Sequence, residues 1–168
     1  MRAREGAAAL SVIIALGVFV APQAHAGDMA LNGRFLATSN GDWAMTNDVY
    51  RDEASVRSIW TIAMTCANVL TCSGTVDSDI GWSAEITTTN GEYVVKRDLP
   101  NWEPCADGSG STVTGHQRYR FFPAGDNGAI LPGSRVFAGF DKTSGESGGC
   151  SLNDKLEIEL PFRLERLD

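Results

Sequence analysis

From Lys155 to Leu167 the chain alternates: Leu156, Ile158, Leu160, Phe162 and Leu164 occupy every second position, and Lys155, Glu157, Glu159, Pro161, Arg163 and Glu165 fill the places between. Successive side chains of a strand point to opposite faces, so this spacing predicts a strand with one buried and one charged face. A helix would scatter the five apolar residues around its circumference. Pro161 has no N–H to donate, which predicts an edge, a bend or an interruption at that point.

The same period of two recurs upstream. It predicts strands over residues 34–39 (Phe35 and Ala37 on one face), 57–66 (Trp60, Ile62, Met64, Cys66), 72–76 (Cys72, Gly74, Val76) and 82–87 (Trp82, Ala84, Ile86). Further strands are expected over 92–97, over 116–122 with Gln117, Tyr119 and Phe121 sharing a face, and over 135–141 with Val136, Ala138 and Phe140 inward. Asn90-Gly91 between β-prone residues is the strongest hairpin signal. The polar stretch from Asp42 to Ala54 lacks the period and reads as a long connection with room for a helical turn. Pro100, Trp102, Pro104, Cys105 and the Gly/Ser run 108–111 read as a long loop. No helix is expected beyond the N-terminal segment, and no internal repeat is visible.

Short strands joined mostly by hairpin-like connections predict one all-β antiparallel domain of about eight strands. An up-and-down barrel removes sheet edges by closing on itself, whereas a two-sheet sandwich needs longer crossing connections. The short connections favour the barrel.

Composition adds a location. Met1-Arg-Ala-Arg4 is basic, Gly6 to Val20 is apolar, and Ala24-His25-Ala26 is a small-x-small motif. That tripartite pattern predicts a signal peptide over residues 1–26, cleaved after Ala26, and an exported domain over 27–168. The apolar run is shorter than the ~20 residues a spanning helix needs, and no later segment is long and apolar enough to cross a membrane. The whole chain has 14 basic and 21 acidic residues, a net charge of −7. The leader removes two and one of these, leaving 12 against 20, or −8, over 142 residues. Such a surface repels phosphate backbones, so nucleic acid is not an expected partner.

The four cysteines, Cys66, Cys72, Cys105 and Cys150, all lie in the exported part. An even count in an oxidising space predicts two disulfides. Three pairings exist; Cys66–Cys72, closing a hairpin, with Cys105–Cys150, tying two long loops, is favoured. Chain entropy assigns about 2.4 kcal/mol to the short loop and about 4 kcal/mol to the long one. Zinc is disfavoured, because no Cys-x-x-Cys occurs and His116 is the sole histidine after the leader. No metal or other cofactor is expected.

Several stretches resemble those of a family of small exported mycobacterial (actinobacterial) proteins. They are Leu31-Asn-Gly-Arg-Phe-Leu-Ala-Thr-Ser-Asn-Gly-Asp-Trp43, Val56-Arg-Ser-Ile-Trp-Thr61, Cys72-Ser-Gly-Thr-Val76, Asn101-Trp-Glu-Pro-Cys105 and Phe137-Ala-Gly-Phe-Asp-Lys-Thr143. The likeness covers nearly all of the exported part. The Gly-x-aromatic opening and the paired cysteines are also similar to ectodomains of some mycobacterial receptor kinases. Gly41-Asp42-Trp43 resembles the Gly-x-Trp of lipocalins, although a Trp packed against the end of a core explains it as well. These resemblances imply export and a bacterial envelope setting, and they carry over no site residue.

Residues that invite a chemical reading have plainer ones. Gly145-Glu-Ser-Gly-Gly149 fits the Gly-x-Ser-x-Gly of hydrolases, but a nucleophile elbow needs a strand before Ser147 and a helix after it. Here Cys150 and then a strand follow. His116 has a general base's chemistry, yet a lone His on the polar face of a strand is usually solvated or bonded to a neighbour. Asp77 and Asp79 share a strand face and could hold calcium, but Ile80 stands where an oxygen ligand is required. Of the four tryptophans, Trp60 and Trp82 alternate inward, whereas Trp43 and Trp102 fall in predicted loops. If those loops meet at one barrel end, they form an aromatic rim suited to a ligand.

The expectation is an exported, monomeric, non-enzymatic β-domain that binds a small ligand or an envelope partner near Trp43 and Trp102. The alternatives are a hydrolase using Ser147 or His116, and a structural or antigenic protein with no ligand. No residue set in the sequence amounts to a catalytic site.

Overall fold

The computed structural model describes residues 29–105, 107–151 and 155–168; the predicted leader and its cleavage site lie outside them. Among the described residues ten strands are found: β1 (Asn32–Ser39), β2 (Met45–Thr46), β3 (Val49–Tyr50), β4 (Val56–Cys66), β5 (Thr71–Ser78), β6 (Trp82–Thr89), β7 (Glu92–Pro104), β8 (Thr112–Pro123), β9 (Val136–Gly145) and β10 (Glu157–Arg166). Eight of them, β1 and β4 to β10, form an up-and-down antiparallel barrel, each paired to the next in sequence order. Pairing of β1 with β10 closes it, Phe35 facing Arg166 and Ser39 facing Phe162.

The alternating segment that becomes β10 changes partner along its length. Residues Phe162 to Arg166 pair with β1, while Ile158 and Glu159 pair with β2. Pro161 lies at the break. Its carbonyl accepts the Asn40 N–H at 2.9 Å, so the side on which its own N–H is missing is the side where no ladder continues. The break is filled by a 3-10 turn over Gly41–Trp43. A Cβ at Gly41 would lie 1.9 Å from the Glu53 carbonyl oxygen, so only glycine lets the segment before β4 fold down onto this turn. Asn47 and Asp48, both with positive φ (46° and 63°), make the tight turn between β2 and β3. The aperiodic stretch 42–54 is thus a turn and a small hairpin laid across one end of the barrel.

Two expectations need correction. Strand β9 runs in the opposite phase to the predicted one: Phe137, Asp141 and Thr143 are buried, Ala138 and Phe140 are exposed, and Val136 is half-buried. Gly139 takes the inward place opposite Phe121, where an added Cβ would strike the Arg120 carbonyl oxygen at 1.8 Å. The second correction concerns Trp102, which is on a strand rather than in a loop. Strand β7 continues through a bulge between Leu99 and Glu103 as far as Pro104. Beyond Val95 it has lost its β6 neighbour and pairs only with β8, and an edge strand tolerates prolines that a central one does not.

The barrel is filled by aromatic rings. Trp60, 1% exposed, meets Tyr119, Trp82 and Phe162 at centroid distances of 5.0, 5.3 and 5.3 Å. Phe121, Tyr93, Phe137 and Phe35 continue the packing toward the end where β1 begins. Leu31 covers that end, and the Tyr93 hydroxyl donates to the Met29 carbonyl at 2.8 Å. The Cys66–Cys72 disulfide closes the β4–β5 hairpin there, and Cys105–Cys150 ties the β7–β8 and β9–β10 connections at the opposite end.

On the outer face, Glu157 accepts from the ammonium groups of Lys142 (2.8 Å) and Lys155 (2.6 Å) and from the Ser144 hydroxyl (3.1 Å). The hydrogen bond from Lys142 is the largest reason that its carboxyl is held down from 4.5 to about 2, with that from Lys155 next. A carboxyl whose folded pKa lies below its unfolded one contributes stability that is present above the unfolded pKa. That stability is lost as pH falls toward 2. Thermal melts between pH 5 and pH 2 are therefore expected to fall less steeply for Glu157→Gln than for the parent. Parallel curves would show that the ion pairs contribute nothing in solution.

Candidate functional site at the barrel mouth

The end carrying Cys105–Cys150 is not filled. Three strands place a polar residue in the inward phase near that end: Arg97 on β7, Gln117 on β8 and Asp141 on β9. Register sets them side by side, with Arg97 opposite Gln117 and Tyr119 opposite Asp141. The Gln117 amide donates to Asp141 Oδ1 at 2.7 Å, and Ser39 Oγ donates to Asp141 Oδ2 at 2.7 Å. Arg97 Nε donates to Gln117 Oε1 at 2.6 Å. A relay runs from Ser39 through Asp141 and Gln117 to Arg97, linking β1, β9, β8 and β7 across the mouth.

Electrostatics follow from burial. Asp141 is 4% exposed, and desolvation pushes its carboxyl up from the usual range. Hydrogen bonds from Ser39 and Gln117, the Arg97 charge and the Tyr119 hydroxyl pull it partly back. Burial likewise raises Tyr119, with the Asp141 charge adding to it. Desolvation lowers Arg97, against the opposing pull of Tyr119 and Asp141. The guanidinium carbon of Arg97 lies 4.3 Å from the centre of the Trp82 ring. That contact spans the seam where β6 and β7 have parted, and it holds a half-buried cation on an aromatic face.

Above the relay is a cavity of about 260 Å³. Its apolar walls include Trp60, Leu99, Trp102, Ile158 and Leu160, and Glu53 and Ala54 reach it from the strap that crosses the mouth. Trp102 packs against two glycines: a Cβ on Gly115 would be 2.7 Å from its ring, and one on Gly145 would be 3.6 Å away. Trp43 behaves differently. It is 64% exposed on the 3-10 turn and does not line the cavity.

His116 is on the outer face. Its Nδ1 lies 2.7 Å from Asp98 Oδ1 and its Nε2 3.9 Å from Glu146 Oε1, so both ring nitrogens face carboxylates. Ser147 sits in an exposed turn followed by a short 3-10 turn, Gly149–Ser151, rather than the helix an elbow requires. Asp77 accepts from Ser83 Oγ and Asp79 from the Ile59 N–H, both structural uses. Among the described residues no group of three or more His, Cys, Asp or Glu is placed to hold a metal ion. The residues that sequence reasoning missed are Arg97, Gln117 and Asp141. Their one signal is a polar side chain in the inward phase of an otherwise apolar alternation.

No family model matches the sequence, and no curated protein does. Among solved structures, the chain is similar to one described as the monomer form of the M. tuberculosis PknI sensor domain. The TM-score is 0.55 and the identity 11%, over 81% of this chain and 86% of that one. At that identity the likeness is one of fold: this chain shares the architecture of a mycobacterial sensor domain.

Proposed function

We propose that the chain is an exported, non-enzymatic β-barrel that binds a small ligand at its mouth, in the manner of a sensing or carrier domain of the bacterial envelope. The observation that carries the reading is the cavity itself. A barrel otherwise filled by aromatic rings leaves about 260 Å³ open at one end, and the floor of that space is a buried, hydrogen-bonded polar cluster. Small-molecule sites have this form, apolar walls with a few convergent polar groups, often in the mouth of a β-barrel. The volume lies just below the ~300 Å³ at which drug-sized sites begin, so the ligand is small. Supporting the setting are the two disulfides, which persist in oxidising compartments, and the tripartite pattern of residues 1–26. The fold likeness to a sensor domain agrees with a binding rather than a catalytic role. Trp102 is the wall that meets the ligand, and Trp43, on the adjoining strap, meets whatever extends beyond the mouth or a partner protein.

The four indole N–H groups make the test direct. In a titration with a panel of small neutral, cationic and anionic aromatic compounds followed by NMR, the Trp102 resonance is expected to shift saturably with at least one class. Trp102→Ala is expected to weaken that binding by tenfold or more, and Trp43→Ala by no more than about threefold; loss of one well-packed aromatic contact is worth ~1–3 kcal/mol. Absence of any saturable shift at Trp60 or Trp102, or equal binding by Trp102→Ala, would remove the mouth as the site.

A further inference from the structure

Arg97 occupies a position that packing alone does not require. It points inward near the end of a filled barrel, half-buried, with its side chain stretched across the β6–β7 seam onto Trp82. A guanidinium costs free energy when taken from water unless it is paired. Among the described residues no carboxylate lies within 4.0 Å of it. Asp141, the acid of the same cluster, has one oxygen engaged by Gln117 and the other by Ser39. Arg97 gives its Nε to Gln117, and the Tyr119 hydroxyl lies beside it. The relay therefore fixes the plane and direction of the guanidinium without a direct ion pair, the Asp141 charge acting on it only at longer range, and Arg97 is itself part of the cavity lining.

We infer that Arg97 is the anion receptor of the mouth and that the ligand is a small organic carboxylate with an apolar body, its carboxylate on the guanidinium and its body against Trp102, Leu99 and Ile158. The planar fork of arginine matches a carboxylate in two parallel hydrogen bonds, which a lysine at this place could not supply. Two other acids line the cavity and bear on the choice. Glu53 directs its carboxylate to the Thr46 hydroxyl at 3.3 Å. Glu103 stands six residues farther along β7, beyond the bulge, and is half-buried at the cavity wall. A net charge of −7 over the whole chain repels anions in general, so an anion that binds here is held by the local guanidinium rather than drawn in by the surface.

The inference rests on the mouth being a binding site, and the experiment separates the two. Calorimetric titration of the disulfide-bonded protein with 3-phenylpropionate, its amide and 3-phenylpropylamine compares one apolar body with three head groups. The acid is expected to bind at least tenfold more tightly than the amide, and the amine more weakly than either. In Arg97→Gln the acid is expected to lose its advantage and bind within about twofold of the amide. If the amide or the amine equals or exceeds the acid in the parent protein, the ligand class is wrong and the mouth survives as a site. The same conclusion follows if Arg97→Gln keeps the preference. If none of the three binds, both readings fail. The comparison of head groups needs no variant, so poor folding of Arg97→Gln leaves it decisive. Inorganic phosphate serves as a further arm: binding as tight as that of the acid would replace the carboxylate by a general oxyanion and overturn the stated class.

Discussion

Trp60→Ala is expected to lower the free energy of unfolding by about 3–5 kcal/mol, the usual range for truncating a fully buried large aromatic residue. The ring is 1% exposed and is the hub of the core, with edge-on contacts to Trp82 and Tyr119 and tilted ones to Phe121 and Phe162. Its N–H is satisfied by Ser58 Oγ at 3.1 Å, so the loss includes a buried hydrogen bond as well as area and dispersion. Domains of this size hold only ~5–15 kcal/mol in total, and the variant would be left near the edge of folding. Urea unfolding curves, with Trp43→Ala as the exposed control, measure it. A parent-like midpoint for Trp60→Ala would mean that the barrel interior is not packed around this ring.

The second large effect is expected from the disulfides, and it is unequal. Removing Cys105–Cys150 by paired serine substitutions should cost about 4 kcal/mol, since the bond closes a loop of 45 residues. Removing Cys66–Cys72, with a separation of 6, should cost about 2.4 kcal/mol. Their consequences for binding also differ. Cys105 follows Trp102 by three residues, and Gly149, next to Cys150, packs against Val113 on β8. The long-range bond thus braces the wall of the cavity, whereas the short one lies at the closed end. Loss of the mouth's ligand affinity is expected only for the Cys105/Cys150 variant, measured under conditions where both variants are folded. Equal losses of stability, or binding impaired by the Cys66/Cys72 variant alone, would contradict this division.

Much of the fold is legible in the sequence because burial here follows a period of two. The last strand, Trp60-Ile62-Met64 on β4 and the Asn90-Gly91 hairpin (φ 53° and 81°) all declare themselves. Strand β9 misleads because its outward residues Val136, Ala138 and Phe140 are more apolar than the inward Gly139, Asp141 and Thr143. Phe140 faces Pro161 across the outer surface, so its hydrophobicity reports a surface contact rather than the core. The prolines of β7 read as loop because alternation cannot tell that β6 has fallen away from its side. The site is harder still. Residues 97, 117 and 141 are each a lone polar side chain on a separate strand, and only the register of β7, β8 and β9 brings them together. Trp102 is visible as an unusual residue, but its place beside the relay is not.

Closure of the barrel by its first and last strands has a directional consequence. Asp168 Oδ1 accepts the Arg34 N–H at 3.2 Å, and the Asp168 carbonyl accepts from Arg135 at 2.7 Å, so the C-terminal residues lie beside the start of β1 at the closed end. Both ends of the described chain therefore leave from the face opposite the mouth. Anything joined there, whether a linker, a second domain or a solid support, would hold the barrel like a cup by its base, with the opening turned outward. A short linker from Asp168 back to Met29 would also permit new termini at the β4–β5 or β6–β7 turn, giving a permuted barrel whose mouth is untouched.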